Sequence, residues 1–492
     1  MRVVPDLRVR ICKDAPPKRG GEYVLYWMIA FRRSGSNFSL DRAAQWAAQL
    51  GKPLLIFEAL RCNYRWASDR LHRFIIDGMA ANAAAFAGRA AFYPYVEPAR
   101  GAGEGLLAQL ASRACVVVTD DFPSFFLPAM IERVARQMPC RFEAIDSNGL
   151  LPMRACETVQ PTAYAFRRFL QKNLPSHFGV MPHQDALAAH QLPQLDGPPA
   201  EIVKRWPAAD ATLLCGDVES LAALPIDHAV RPTRQRGGSV AGREVLREFL
   251  RRRLSAYSEQ RNEPDVEGAS GLSPWLHFGH VSAHEVFAAI ARQEEWSPRK
   301  LSTSTKGTRE GWWNMSKSAE SFLDEFVTWR ELGFNMCSLR GDYDRFESLP
   351  QWAQDTLDKH ASDQRQWTYS LEQFEGSQTH DPLWNAAQRQ LVGEGRIHNY
   401  LRMLWGKKIL EWTPSPRAAL DVMIELNNKH ALDGRNPNSY TGIFWVLGRY
   451  DRPWGPERPV FGTIRYMSSE NTARKMSVKG YLARWGDSGL FD

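Results

Sequence analysis

Two constellations in this chain could carry chemistry. His280 and His284 stand four residues apart, a spacing that would put two imidazoles on one helical face as metal ligands. Glu285 follows directly, which is not the HExxH order, and Ser282-Ala-His-Glu285 reads equally well as a capping box that opens a helix. No third ligand lies nearby, so no metal is expected. The second constellation is aromatic and charged. Trp405 and Trp412 are seven apart, two helical turns, and so share a face; Trp384 falls on the preceding helix and could meet them in a hairpin. Core packing explains such indoles, but a chain of them also suits electron hopping between a buried redox centre and solvent. Arg402 and Asp433 are opposite charges among apolar segments, and should pair if buried, because an unpaired buried charge is costly.

Other chemistries find no footing. The seven cysteines (12, 62, 115, 140, 156, 215 and 337) form no CxxC, so a disulfide framework, zinc ribbon or iron–sulfur cluster is not expected. No serine has a nucleophile-elbow context and no Walker A run exists. Gly101-Ala-Gly-Glu-Gly105 does not fit GxGxxG and does not directly follow a strand.

The elements that must position these residues fall into two halves. In the first, apolar runs at Tyr23–Met28, 53–58, 91–95, 115–119 and Arg141–Ile145 alternate with helical spacing at 40–50, after Ser68, at Leu106–Arg113 and at 126–137. That alternation predicts a Rossmann-like, mostly parallel sheet covered on both faces. Asp120 and Asp121 would stand at a strand end, where such sheets bind ligands. Residues 181–240, rich in Pro, Gly, Gln and Ala, read as an interdomain linker. From 241 onward helices are predicted at 243–260, from Ser282, and at 321–339, 382–392, 397–412 and 416–428, with no alternating strand. The reading is an α/β domain over 1–180, the linker, and a large all-α domain over 241–492.

Length and balance bound the partners. The 492 residues suffice for several folded units, and no apolar run approaches the ~20 residues needed to span a bilayer. Met1 to Pro17 shows no secretory core, so a cytoplasmic protein is expected. Net charge is +7, and 13 of the 17 tryptophans lie after residue 270. Residues 396–475 hold 13 Lys or Arg against 7 Asp or Glu. Cations interleaved with flat rings suit nucleic acid, although a solvated basic face over an aromatic core reads the same way.

Four segments then carry a resemblance. They are Tyr257-Ser-Glu-Gln-Arg261-Asn-Glu-Pro264 with Gly271-Leu-Ser-Pro-Trp-Leu-His-Phe-Gly279, and Ser321-Phe-Leu-Asp-Glu-Phe-Val-Thr-Trp-Arg-Glu-Leu332. The third is Asp381-Pro-Leu-Trp-Asn-Ala-Ala-Gln388 running into Ile397-His-Asn-Tyr-Leu-Arg-Met403 and Trp405-Gly-Lys-Lys-Ile-Leu-Glu-Trp412. The fourth is Leu432-Asp-Gly-Arg-Asn-Pro-Asn438 with Glu457-Arg-Pro-Val-Phe-Gly-Thr-Ile-Arg-Tyr-Met467. Over ~250–485 the chain resembles the DNA photolyase/cryptochrome family, most nearly the class II cyclobutane pyrimidine dimer photolyases.

The resemblance implies a carbon–carbon lyase that repairs pyrimidine dimers with light. It implies an α/β antenna-type domain and a helical domain holding FAD, active in its reduced anionic form. By motif position, Tyr257, Ser270, Leu272, Ser273, Asn399, Arg402, Asn427 and Asp433 would line the flavin site. Asn427 would face the reactive edge of the flavin, and Arg402 with Asp433 would flank the ring. Trp405, Trp384 and Trp412 would form the photoreduction chain, with Trp412 nearest solvent. Glu325 would hydrogen-bond the dimer, donating if protonated, and Trp329 and Trp445 would hold the flipped bases. Charge alone adds Arg449, Arg452, Arg458 and Lys475 as phosphate contacts. The implied partner is UV-damaged DNA, bound by a monomer without a protein partner. The stretch after Tyr26-Trp27-Met28 departs from the family's pattern, which leaves an antenna chromophore in the first domain open. A cryptochrome-like photoreceptor without repair, or a different lesion preference, is the alternative; Glu325, Trp329 and Trp445 favour repair.

Overall fold

The computed structural model describes residues 4–486, so the first three residues of the N-terminal stretch lie outside it. The chain forms two compact units that do not follow a single cut. One comprises Met1–Cys156, Asn173–Arg247 and Leu272–Pro298; the other Glu157–Lys172, Glu248–Gly271 and Arg299–Asp492.

The first unit is built on a six-stranded sheet: β1 (Val9–Lys13), β2 (Tyr23–Met28), β3 (Leu54–Leu60), β4 (Ala91–Val96), β5 (Ala114–Asp120) and β6 (Arg141–Ile145). The order is β1-β6-β5-β2-β3-β4, parallel except for β1, which runs antiparallel to β6 at the edge. The central strands β2 and β5 are buried at every position, which is why their sequences are continuous apolar runs rather than alternating ones. Helices Phe38–Leu50, Asp69–Phe86, Leu106–Arg113 and Leu127–Gln137 connect the strands. Asn37 caps the first by accepting from the Ser39 and Leu40 N–H groups.

Several features of this unit differ from the sequence expectation: 272–298, expected in the all-α domain, belongs to it, and 157–172, expected in it, belongs to the second unit. Strand β1 was not anticipated, because a half-exposed edge strand that alternates Arg10 and Cys12 with its neighbours carries no apolar run. The stretch 181–240, expected as a linker, instead belongs to the first unit. Its helices Ala200–Arg205, Ala211–Cys215 and Val218–Ala222 bury Ile202, Trp206, Leu213 and Leu221. Trp206 donates from its indole to the Ala102 carbonyl, and Asp210 and Asp217 cap the next two helices. Sparse apolar anchors and good caps pack a segment whose composition reads as loop.

The second unit contains no strand among the described residues. Its core helices are Lys317–Leu323, Arg330–Leu339, Pro382–Glu394, Asn399–Trp412, Pro416–His430 and Pro437–Val446. Three begin with a capping side chain and proline at the first turn (Asp381-Pro382, Ser415-Pro416, Asn436-Pro437), a pre-organised start. Two glycines let Pro437–Val446 approach its neighbours. A Cβ on Gly406 would fall 2.5 Å from Val446, and one on Gly333 would fall 2.7 Å from the Pro437 carbonyl oxygen. The helix predicted over 243–260 breaks after Ser239–Arg252 into a 3-10 turn and a short helix Tyr257–Gln260. The one predicted over 321–339 is interrupted by a wide π-type turn, Asp324–Trp329. Such turns are rare overall but frequent at functional sites.

Candidate functional site

Arg402 and Asn399 lie one turn apart on helix Asn399–Trp412, Asn427 on Pro416–His430 and Asp433 in the following turn. The structure brings the three central residues together. Arg402 donates from Nη2 to Asp433 Oδ1 at 3.3 Å and from Nη1 to Asn427 Oδ1 at 3.4 Å. Asn427 is buried, and its amide donates to Ser439 Oγ at 2.7 Å and Asn428 Oδ1 at 3.1 Å. Asn428 donates in turn to the Tyr440 hydroxyl and accepts from the Arg435 N–H. Asn427 is thus held in one orientation, with its oxygen toward Arg402.

The ion pair itself is unlike a closed structural one. Both contacts to Arg402 are long, and its side chain and that of Asp433 keep 20% and 17% exposure. A guanidinium carries five N–H donors, and these two bonds leave others to point elsewhere. A cation with donors to spare, beside a fixed amide and a carboxylate, suits a flat anionic heteroaromatic ring.

The three predicted indoles form a connected group. Trp384 donates from Nε1 to the Trp405 carbonyl at 3.0 Å, and Trp405 donates to Gln388 Oε1 at 2.9 Å. The Trp384 and Trp412 rings meet edge-to-face at 6.0 Å. All three are buried. Trp412, 3% exposed against 0% for Trp384 and 2% for Trp405, is enclosed almost as fully as they are. It is covered by Tyr369, His380 and Lys408, and the exposed ring of this group is Trp367, 45% exposed and stacked on His380 at 4.7 Å.

A third group presents half-buried surfaces. Glu325 and Trp329 both lie on the π-type turn, and Glu325 Oε1 is 2.6 Å from Arg261 Nη1, so it forms an ion pair rather than standing alone as an acid. Trp329 meets Tyr450 edge-on at 6.4 Å. Trp445, also half-buried, has Lys407 and Arg465 against its ring at 4.9 and 5.5 Å. Arg465 also lies 3.9 Å over Trp454 and pairs with Asp451 at 3.0 Å. Arg452, Arg458 and Lys475 are exposed. Arg449 is not available to phosphate: it is buried over Phe444 at 3.7 Å, donates to Ser348 Oγ and the Tyr343 carbonyl, and burial pulls its pKa down to about 10.

No family model matches the chain. It is 31% identical to the deoxyribodipyrimidine photo-lyase of Methanothermobacter thermautotrophicus, over 97% of both chains. It is 33% identical to the deoxyribodipyrimidine photo-lyase of Oryza sativa subsp. japonica, over 97% of this chain and 90% of that one. Its fold matches the crystal structure of a bacterial class III photolyase from Agrobacterium tumefaciens at a TM-score of 0.69 and 16% identity, covering 94% and 86% of the two chains. The chain belongs to the photolyase family. It is an enzyme of the photo-lyase type, and no helix of the described residues is long and apolar enough to cross a membrane.

Other residues singled out by the photolyase motifs are more scattered. Tyr257 is buried against Phe249 and Phe322, with Arg261 over its ring at 5.7 Å, and burial pushes its phenol pKa up. Ser270 is half-buried in the second unit. Leu272, buried, and Ser273, exposed, open helix Ser273–His277, which belongs to the first unit. Asn399 is exposed.

The histidine pair faces apart. His280 accepts from the Gly238 N–H at 2.9 Å, stacks on Phe74, and is so buried that its pKa falls to about 3. His284 faces Arg8 at 3.4 Å and the edge of Phe38. Among the described residues no group of three or more His, Cys, Asp or Glu could hold a metal. The glycine-rich loop wraps a carboxylate of its own: Gly101 and Gly103 both donate to Glu97 Oε1. Sequence reading missed Gln388, Arg261, Lys407, Arg465 and Trp367. Their signal is only contact with an indole, a carboxylate or, for Trp367, an imidazole, which spacing along the chain does not reveal.

Proposed function

We propose that this enzyme repairs cyclobutane pyrimidine dimers in DNA with light, using FAD held by the Arg402–Asn427–Asp433 group. The observation that carries the reading is the guanidinium with spare donors beside a locked amide. Such a cation favours the anionic reduced ring, and the Asn427 orientation keeps a carboxamide oxygen rather than a proton donor toward Arg402. When bound, photoexcited reduced flavin supplies the electron that opens the cyclobutane ring and takes it back. Tyr257, Ser270 and Asn399 would hold the rest of the cofactor; the roles of Leu272 and Ser273 rest on the sequence motif alone.

The protein's task is to receive the lesion. Flipping a damaged pair out of the duplex costs a few kcal/mol. Trp329 and Trp445, the half-buried indoles, offset this by stacking worth about 1–3 kcal/mol per base. Glu325 accepts at the dimer edge, with Arg261 fixing its carboxylate. Arg452, Arg458 and Lys475 attract phosphate. Trp405, Trp384 and Trp412 relay electrons inward for photoreduction. For a second chromophore in the first unit the strand-end carboxylates do not fit. Asp120 accepts from three backbone N–H groups and Tyr26, and Asp121 pairs with Arg10 and Arg154.

The test is the absorption spectrum of native protein, followed by illumination under reductant with dimer-containing and (6-4)-containing oligonucleotides. A flavin spectrum with dimer repair supports the proposal. A colourless protein overturns it. A flavin spectrum without light-dependent repair of either lesion indicates a photoreceptor, and repair of the (6-4) lesion alone a different specificity.

A further inference from the structure

Helix Asn399–Trp412 buries a lysine that neither the cofactor group nor the indole group uses. Lys407 is fully buried, a rare place for an ammonium. Its Nζ donates to the Val446 carbonyl at 2.6 Å, and Val446 is the last residue of helix Pro437–Val446. The same Nζ lies 4.9 Å from the centroid of the Trp445 ring. Gly406, the preceding residue, is what lets the two helices come close enough for this contact.

We propose that Lys407 is a positioning residue for the lesion-stacking indole Trp445. This rests on the reading above, in which Trp445 stacks on a flipped base. One ammonium holds two things at once: the carbonyl end of a helix, where a cation is favoured, and the ring on that helix's last turn. Arg465 lies 5.5 Å from the same ring, so Trp445 stands between a sealed cation and a half-buried one. Fixing the ring before DNA arrives removes the ordering cost that a mobile indole would add to binding.

The charge on Lys407 is poised to change. Burial pulls its pKa down to about 7; of the charged groups that face it, Asp451 favours the ammonium and Arg465 opposes it. Below that pH the cation is present, and above it the amine is neutral and its attraction to the indole weakens.

The experiment measures binding of dimer-containing and undamaged oligonucleotides, in the dark, by the holoenzyme and by Lys407→Met, Trp445→Ala and the double variant. Lys407→Met is expected to lower the preference for damaged DNA about tenfold, the size of a desolvated cation–π contact. Binding of undamaged DNA should stay as it was, and the substitution should have no further effect in the Trp445→Ala background. In the wild type the preference should fall as pH rises from 6 to 8.5, and in Lys407→Met it should be flat. Loss of preference in Trp445→Ala but not in Lys407→Met overturns the inference and leaves the stacking role intact. Unchanged preference in Trp445→Ala overturns both. If Lys407→Met does not fold, a wild-type preference that is flat with pH overturns the inference, and a falling one that is abolished by Trp445→Ala supports it.

Discussion

Asp120 in the first unit and Arg402 in the second are both charged residues set among apolar neighbours, and the structure treats them oppositely. Asp120 is sealed. Its carboxylate accepts from the Tyr26 hydroxyl at 2.8 Å and from the Ile29, Ala30 and Phe31 N–H groups at 2.8, 2.7 and 2.9 Å. It closes the turn that leaves β2. Arg402 makes two long contacts at a partly open position. A charge whose bonding capacity is filled by its own chain is holding the fold; one with capacity left over, aimed where solvent reaches, is available to a ligand.

The largest effect follows from that contrast. Asp120→Ala strands four buried donors, each left unsatisfied at a cost of about 1–3 kcal/mol. Urea unfolding should show that loss. Arg402→Leu should cost less, because Asp433, 17% exposed, remains reachable by water, yet the purified protein should lose its flavin absorbance. The reverse pattern, with Arg402→Leu the more destabilising and still yellow, would remove the distinction.

Glu58, a buried acid of the first unit, is not saturated, and it sharpens the rule by its pH dependence. Glu58 accepts from Asn82 at 2.9 Å, but its Oε1 has no hydrogen-bond partner; Arg32 Nε stands 3.4 Å away. Burial raises its pKa from 4.5 to about 7. The folded state therefore binds this proton more tightly than the unfolded state does. Its contribution is complete below about pH 4.5 and is lost as pH rises through about 7. Glu58→Gln should raise stability at pH 8 by at most about 3 kcal/mol and leave it nearly unchanged at pH 4. Parallel denaturation curves for both proteins at the two pH values check the sign.

Among the indoles the same contrast separates Trp445 from Trp384. Trp384 is enclosed and bonded to the Trp405 carbonyl, whereas Trp445 is half-buried with cations against its ring. Trp445→Ala should lower affinity for dimer-containing DNA by about 1–3 kcal/mol, the value of one stacked base. Its effect on unfolding should be the smaller one. Trp329→Ala should behave in the same way, measured by titration of labelled oligonucleotide in the dark.

How much of this was legible beforehand depends on what each feature needs. Strands β2 and β6 were readable to the residue, because a buried parallel strand writes its burial into a continuous apolar run. The union of Arg402, Asn427 and Asp433 was legible through the family motifs; the residues alone said only that Arg402 and Asp433 should pair. Asp120 was legible as a strand-end carboxylate but not as a saturated one, since three of its four donors are backbone N–H groups that carry no side-chain signal. The packed segment 181–240 and the π-type turn under Glu325 were not legible. The first has the composition of a loop, and the second is a difference of one residue per turn that tertiary contacts decide.

Trp405 provides the smallest and most discriminating change. Its ring packs in the core, and its single polar atom donates to Gln388 Oε1. Trp405→Phe keeps the packing but leaves that buried oxygen without its donor, at a cost of about 1 kcal/mol. If the indole relays electrons, photoreduction of oxidised enzyme should slow strongly, while repair by enzyme reduced chemically beforehand stays near the wild-type rate. Transient absorption and a prereduced repair assay separate the two. Equal loss of both would assign Trp405 to the same class as Asp120, a residue whose bonds serve the fold alone.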